Sequence, residues 1–133
     1  MNEQIKLEYL HMCDYACQAI NNKIDLIGIF DYFTALKAPD FFIAARISVP
    51  INSKYVVSFD IISKEDNKRV YADPNPITIP DNAPGLNYNI LKSMKNVDFK
   101  NFGEFSIRMF VNNLPLEDKI FTVKNGLNNI NIK

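Results

Sequence analysis

The chain has 133 residues, of which 47% are hydrophobic, and it carries 15 basic and 15 acidic side chains. This length fits a single domain, residues 1–133, whose core needs no disulfide or metal for stability. The balanced charge argues against nucleic-acid binding and against a peripheral membrane site, because anionic surfaces attract proteins with a basic excess. We therefore expect neither nucleic acid nor membrane among its partners.

The first ten residues, MNEQIKLEYL, lack the apolar core of a signal peptide. No apolar run in the sequence reaches the roughly 20 residues of a membrane-spanning helix. The two cysteines, Cys13 and Cys17, are then most simply reduced thiols. These features predict a cytoplasmic protein.

Apolar residues recur with period two, which is the pattern of half-buried β-strands. The first strand starts at Ile5, and one of its faces carries Ile5, Leu7, Tyr9, His11 and Cys13. We expect this face to point into the core. A hairpin turn at Asn21-Asn22 follows, because asparagine tolerates positive φ. The returning strand, Ile24 to Phe33, is nearly all apolar, so we place it in the middle of the core.

Further strands follow at short intervals along the chain. They are predicted at Phe41–Val49, Tyr55–Ile62, Arg69–Ala72, Ile77–Ile79, Leu86–Met94, Gly103–Val111 and Ile120–Val123. Asn112-Asn113 predicts a second tight turn, and residues 124–133 either add a last strand at Asn129–Ile132 or fray. Eight or nine short strands separated by turn signals indicate an all-β protein, a two-layer antiparallel β-sandwich.

The only histidine and both cysteines fall inside residues 11–17, HMCDYAC. In a strand, His11 and Cys13 share a face with Cα atoms about 6.5–7 Å apart, a spacing that suits a shared metal. Zinc needs at least three protein ligands, so Cys17 would have to turn back toward them, and Asp14 points to the other face. We interpret His11 and Cys13 as core packing. A metal site, a Cys–His nucleophile and a Cys13–Cys17 disulfide are the alternatives.

A two-residue turn at Asn21-Asn22 would pair Asp14 with Ile29 and place Asp14 and Asp31 diagonally on one face. Two carboxylates so placed could do acid–base work or hold a cation, whereas solvated strand ends are the simpler interpretation. The sequence has no glycine-rich phosphate loop and no nucleophile elbow. We therefore expect no enzymatic activity and no cofactor.

The opening segment, YLHMCDYACQAINNKIDLIGIFDYF, resembles a family of small bacterial proteins of unknown function. The matching steps are Cys13 to Ala16, at the end of one strand, and Gly28 to Asp31, at the end of the next. The segment from Phe102 to Ile107, which leads to the turn at Asn112-Asn113, is similar as well. The resemblance implies an immunoglobulin-like β-sandwich and no particular activity.

The lack of catalytic parts, together with apolar residues on both faces of the first strand, predicts a non-enzymatic interaction module. A sandwich buries one face of each strand, so a partner protein, or else a loop or the C-terminal tail, should cover the other. We expect Leu10, Met12 and Phe110 to face that partner, a protein encoded in the same bacterial operon. Phage defence is one setting that we suggest by analogy.

Two other functions stay open at this point. One is a small-ligand- or metal-binding protein, or an enzyme, centred on His11, Cys13 and Asp14. The other is self-association through an exposed edge strand such as Arg69–Ala72.

Overall fold

The computed structural model describes residues 5–18, 23–83 and 85–126. These residues form ten strands and two sheets. The strands are β1 (Lys6–Gln18), β2 (Ile24–Phe30), β3 (Tyr32–Phe33), β4 (Phe41–Ser48), β5 (Tyr55–Ser63), β6 (Arg69–Tyr71), β7 (Ile77–Ile79), β8 (Asn87–Met94), β9 (Gly103–Val111) and β10 (Leu114–Val123). The predicted all-β sandwich is confirmed. It has ten strands because the apolar run Ile24–Phe33 divides into β2 and β3.

The smaller sheet has the strand order β2-β1-β4-β8, and the larger has the order β3-β10-β9-β5-β6, with β7 also paired to β5. Neighbouring strands run antiparallel except β3, which lies parallel to the end of β10. The chain therefore crosses from one sheet to the other between β2 and β3. The predicted edge position of Arg69–Ala72 is confirmed, because β6 ends the larger sheet.

One hydrophobic core fills the space between the two sheets. Its fully buried side chains come from both sheets and include Met12, Ile43, Ile47, Met94, Phe59, Ile107 and Met109. Each such side chain stabilises the fold by about 1.5–3 kcal/mol relative to an exposed position. Toward the β3 end, Phe33 contacts four other phenylalanine rings at centroid distances of 4.9 to 5.6 Å. This aromatic group closes the core beneath the candidate site described below.

A β-bulge in β1 decides which of its side chains enter the core. The pairing of β1 with β4 shifts between Leu7 and Tyr9. Leu7, before the bulge, and Leu10 and Met12, after it, pack in the core. Tyr9 and Cys13 instead pack in a separate cluster on the outer face. The prediction that Cys13 continues the inward face of Leu7 is wrong, because an extra residue in the strand reverses the alternation.

The strand β2 lies at the edge of the smaller sheet, so its predicted place in the middle of the core is wrong. Its pairing with β1 also differs from the prediction by one residue. Gln18 lies opposite Ile24 and Cys13 opposite Ile29, which leaves an odd number of residues between paired positions, whereas a two-residue turn requires an even number. The turn predicted at Asn21-Asn22 lies outside the described residues, as does the last strand predicted at Asn129–Ile132.

The turn between β9 and β10 lies where the sequence predicts it. Asn112 and Asn113 adopt φ values of 53° and 67°, and they join the paired residues Val111 and Leu114. The predicted turn is confirmed. The returning strand starts directly at Leu114, ahead of the predicted Ile120.

A buried ion pair links the two sheets at the side opposite β2. The ammonium of Lys92, on β8, lies 2.8 Å from a carboxylate oxygen of Asp73, with side-chain exposures of 9% and 1%. The other oxygen of Asp73 accepts a hydrogen bond from the backbone N–H of Phe59, in β5. Lys92 also donates to the carbonyl of Asn75. Both charges are therefore compensated inside the protein, as buried charges must be.

Candidate functional site

Cys13 is fully buried, although it lies on the outer side of the smaller sheet. Its Sγ lies 3.9 Å from the carbonyl oxygen of Phe42, to which the thiol donates a weak hydrogen bond. Burial raises the pKa of the Cys13 thiol, and the negative charge of Asp14 raises that pKa further. The thiolate is the nucleophilic form of cysteine, so this environment opposes nucleophilic chemistry at Cys13.

His11 is half-buried, and its ring stacks on that of Tyr9 at a centroid distance of 5.4 Å. Cys17 is half-buried near the end of β1, and both cysteines are free thiols. Across residues 5–18, 23–83 and 85–126, no three His, Cys, Asp or Glu side chains come together as a metal site would require. His11, Cys13 and Cys17 are therefore close in the sequence but do not form a group of metal ligands in the structure.

The three residues predicted to face a partner lie in different environments. Leu10 and Met12 point into the core, where Met12 has no exposed surface. Phe110 is half-buried on the outer face of the larger sheet, opposite Ser58. The bulge in β1 explains the inward position of Leu10 and Met12, which makes both inaccessible to a partner.

The exposed apolar side chains of the smaller sheet come instead from the other face of β1 and from β2. Tyr15 lies directly opposite Ile27, and Cys13 lies opposite both Ile29 and Phe42. The edge of the Phe42 ring also contacts Tyr15, at a centroid distance of 5.4 Å. We call the exposed members of this group the outer patch; they are Tyr15, Ile27 and Ile29.

The outer patch is accessible to a partner. Tyr15 is 49% exposed, Ile27 60% and Ile29 57%. Sheet surface in contact with water normally carries polar side chains, so three exposed apolar side chains on two paired strands are unusual. In the sequence, the signal for this patch is the two isoleucines on either side of Gly28. We interpreted the apolar run that contains them as a core strand.

A cleft of about 370 Å³ opens beside the outer patch, where the chain passes between the two sheets. Its apolar walls are the rings of Phe30, Phe33 and Phe41. Two carboxylates, those of Asp14 and Asp40, also line it. The cleft therefore combines an aromatic interior with negative charge.

Gly28 allows the Asp14 carboxylate to lie against β2. The φ angle of Gly28 is +70°, in the left-handed region that favours glycine. A Cβ atom built on Gly28 would lie 2.8 Å from Cγ of Asp14 and closer still to its Oδ2. Only glycine fits this position without displacing the carboxylate. Asp14 faces Gly28 here, and not Ile29 as the predicted register requires.

Two lysines lie close to the cleft. The ammonium of Lys124 lies 4.5 Å from the centroid of the Tyr32 ring, which also lines the cleft. Lys95 forms an ion pair of 3.1 Å with Asp40, and both side chains are well exposed. Asp14 forms no ion pair with any residue in the described part of the chain.

These features define an all-β protein of two packed sheets, with an apolar outer patch beside an aromatic and acidic cleft. The profile of DUF6941, a family of unknown function, matches residues 8–124, and the chain belongs to that family. The resemblance to a family of unknown function is thereby confirmed, while its immunoglobulin-like detail stays a prediction. None of the curated proteins matches the sequence.

One similar solved structure is the Pseudomonas fluorescens alkylpurine DNA glycosylase AlkC bound to DNA containing an abasic site analog. The similarity has a TM-score of 0.53 and 13% sequence identity, and it covers 90% of this chain and 30% of that chain. At this identity the similarity concerns the fold alone, and this chain spans less than a third of that protein. Residues 5–18, 23–83 and 85–126 contain no helix that is long and apolar enough to cross a membrane.

Proposed function

We propose that this protein is a non-enzymatic interaction module that binds a second, different protein through the outer patch. The observation that carries the proposal is the exposure of Tyr15, Ile27 and Ile29 on the paired strands β1 and β2. Burying apolar surface is the main favourable term in protein association, at about 25 cal/mol per Å². Isoleucine and tyrosine side chains on a rigid sheet can form the buried centre of such an interface.

The environment of Cys13 supports this function over a metal-binding or enzymatic one. A catalytic cysteine needs a lowered pKa and access for substrate, whereas Cys13 is fully buried and its pKa is raised. Asp14 lines the cleft, whereas neither His11 nor Cys13 does. The side chains of the alternative site therefore do not converge on one point.

The proposal also covers the partner's origin, the compartment and the biological process. The partner is a protein encoded in the same bacterial operon, both proteins act in the cytoplasm, and phage defence is one such setting. The balanced charge of the chain supports a protein partner over nucleic acid.

The test compares two isoleucines of equal exposure. Ile27→Glu places a charge in the outer patch, whereas Ile51→Glu changes an isoleucine that is also 60% exposed but lies in the connection after β4. Tagged wild-type protein and both variants are expressed in the native host, and the captured proteins are quantified by mass spectrometry. We expect one stoichiometric partner with wild type and Ile51→Glu, and at least a tenfold loss with Ile27→Glu, because a buried charge opposes association.

Thermal unfolding of both variants shows that they fold, and light scattering gives the mass of the protein alone. Equal capture by both variants would overturn the proposal. A stable homodimer that Ile27→Glu dissociates would replace the second protein by a second copy of this chain.

A further inference from the structure

We propose that the cleft beside the outer patch receives a lysine or arginine side chain of the partner protein. This inference rests on the proposed function, since it specifies which chemistry the partner presents next to its apolar surface. Ile29 joins the two regions, because it belongs to the outer patch and also lines the cleft. A partner that covers Ile29 would therefore place its neighbouring side chains at the cleft.

The walls of the cleft suit the aliphatic part of a long basic side chain. The half-buried Phe30 presents apolar surface, with the buried rings of Phe33 and Phe41 behind it, and the volume of about 370 Å³ exceeds that of one side chain. Lysine and arginine bury their methylene groups against such surfaces while the charged group stays near water. A guanidinium can also stack on an aromatic ring, which an aliphatic partner cannot do.

The carboxylate of Asp14 favours a cation at the cleft. Asp14 contributes a carboxylate that no ion pair neutralises within residues 5–18, 23–83 and 85–126. Asp40 contributes a second carboxylate, shared with the exposed Lys95. The side chain of Asp14 lies against the backbone of Gly28, at the wall of the cleft.

The protein itself already places a cation at this cleft. The Lys124 ammonium lies over the ring of Tyr32, at 4.5 Å from its centroid. This cation–π contact is independent of the carboxylates, and it shows that the aromatic rim holds a positive charge. A partner side chain would find the same chemistry on the Asp14 side of the cleft.

The first test uses a probe in place of the partner. n-Butylguanidinium carries the cation and an aliphatic chain, and n-butylurea is its neutral counterpart of the same shape. Each is titrated into ¹⁵N-labelled full-length protein, and the amide shifts are followed by NMR. We expect n-butylguanidinium to shift Gly28, Ile29 and Phe33 in a saturable way, with affinity of about millimolar order for so small a ligand.

Variants then assign the charge. Asp14→Asn keeps the shape of the side chain and should weaken n-butylguanidinium binding about tenfold, since charge-assisted contacts are the strong ones. Asp25→Asn, on β2 but away from the cleft lining, is the matched control and should leave binding unchanged. Equal binding of n-butylurea, or an unchanged affinity in Asp14→Asn, would overturn the inference.

The two proposals fail in distinguishable ways. Loss of partner capture in Ile27→Glu, together with no saturable binding of n-butylguanidinium, would leave the interaction module standing and remove the cationic anchor. Saturable binding of the probe with unchanged capture in Ile27→Glu would remove the outer patch as the docking surface, and with it the partner assigned to the cleft.

Discussion

Gly28 connects the sequence to the candidate site more directly than any other single residue. Its φ of +70° and the carboxylate of Asp14 beside it are two separate reasons for glycine. The sequence alone suggests neither reason, because an isolated glycine in an apolar run predicts only a bulge or a close approach. The close approach is to Asp14, which became visible only once the register of β1 and β2 was known.

Replacing Gly28 by alanine should destabilise the protein by about 2 kcal/mol or more, through backbone strain and through displacement of Asp14. Gly85→Ala is the matched control, because its φ is +81° and nothing lies within 4 Å of the added Cβ. That control should cost about 1 kcal/mol from the backbone alone. Urea unfolding measures both. Equal losses in the two variants would contradict the account of the Asp14 contact.

A second residue-scale prediction concerns the pair Arg108 and Asp118, which makes two hydrogen bonds of 2.8 and 3.0 Å on the larger sheet. The hydrogen bond and charge of Arg108 lower the pKa of Asp118 below its ordinary value of 3.8. The resulting stabilisation is fully present above pH 3.8 and is lost as the pH falls through the lower folded pKa.

We expect Asp118→Asn to lose roughly 0.5–1 kcal/mol at neutral pH, since the pair is partly exposed to solvent. The difference from wild type should shrink as the pH falls below 3.8 and through the lower folded pKa of Asp118. Unfolding free energies measured from pH 2 to 7 test this expectation. A difference that is constant over the whole range would show that the charge of Asp118 contributes nothing.

At the scale of elements, the strands were predictable and their faces were not. Alternating apolar residues located β4, β5 and β9 to within a residue or so at either end. The faces of β1 were assigned wrongly because the strand has apolar residues on both sides, so no polar stripe marks the bulge between Leu7 and Tyr9. A bulge of one residue reverses every later assignment, including the partner-facing role given to Leu10 and Met12.

The edge position of β2 was missed for a related reason. A short run of apolar residues is typical of a strand buried on both faces, and periodicity alone does not show which strand pairs with it. Here the run is apolar because its outer side carries the outer patch. The same residues that suggested a core strand are thus the ones that expose apolar surface.

The ion pair between Lys92 and Asp73 gives a prediction about the joining of the two sheets. Asp73→Asn keeps the shape of the side chain but leaves the ammonium of Lys92 without its buried counter-charge. The expected loss is about 3 kcal/mol, because an uncompensated buried charge is costly. Asp40→Asn, whose pair with Lys95 is exposed, should lose less than about 0.5 kcal/mol. Similar losses in chemical unfolding would contradict the buried role of Asp73.

At the scale of the whole molecule, the spacing of apolar residues correctly indicated the fold class, but composition carried little information about function. The chain is electrically balanced overall, yet one end of the sandwich combines an apolar patch with the carboxylates of Asp14 and Asp40. Composition averages over the surface, so it does not reveal such local grouping. Only the arrangement of β1, β2 and the chain between the sheets brings these side chains together.

The central claim is that a different protein binds to the outer patch. The most direct test places the photo-crosslinking residue benzoylphenylalanine at position 27, in protein expressed in its native host, with position 51 as the control. We predict that irradiation links position 27 to one discrete partner protein and that position 51 gives no such product. Identical products from both positions, or a crosslink only to a second copy of this chain, would contradict the claim.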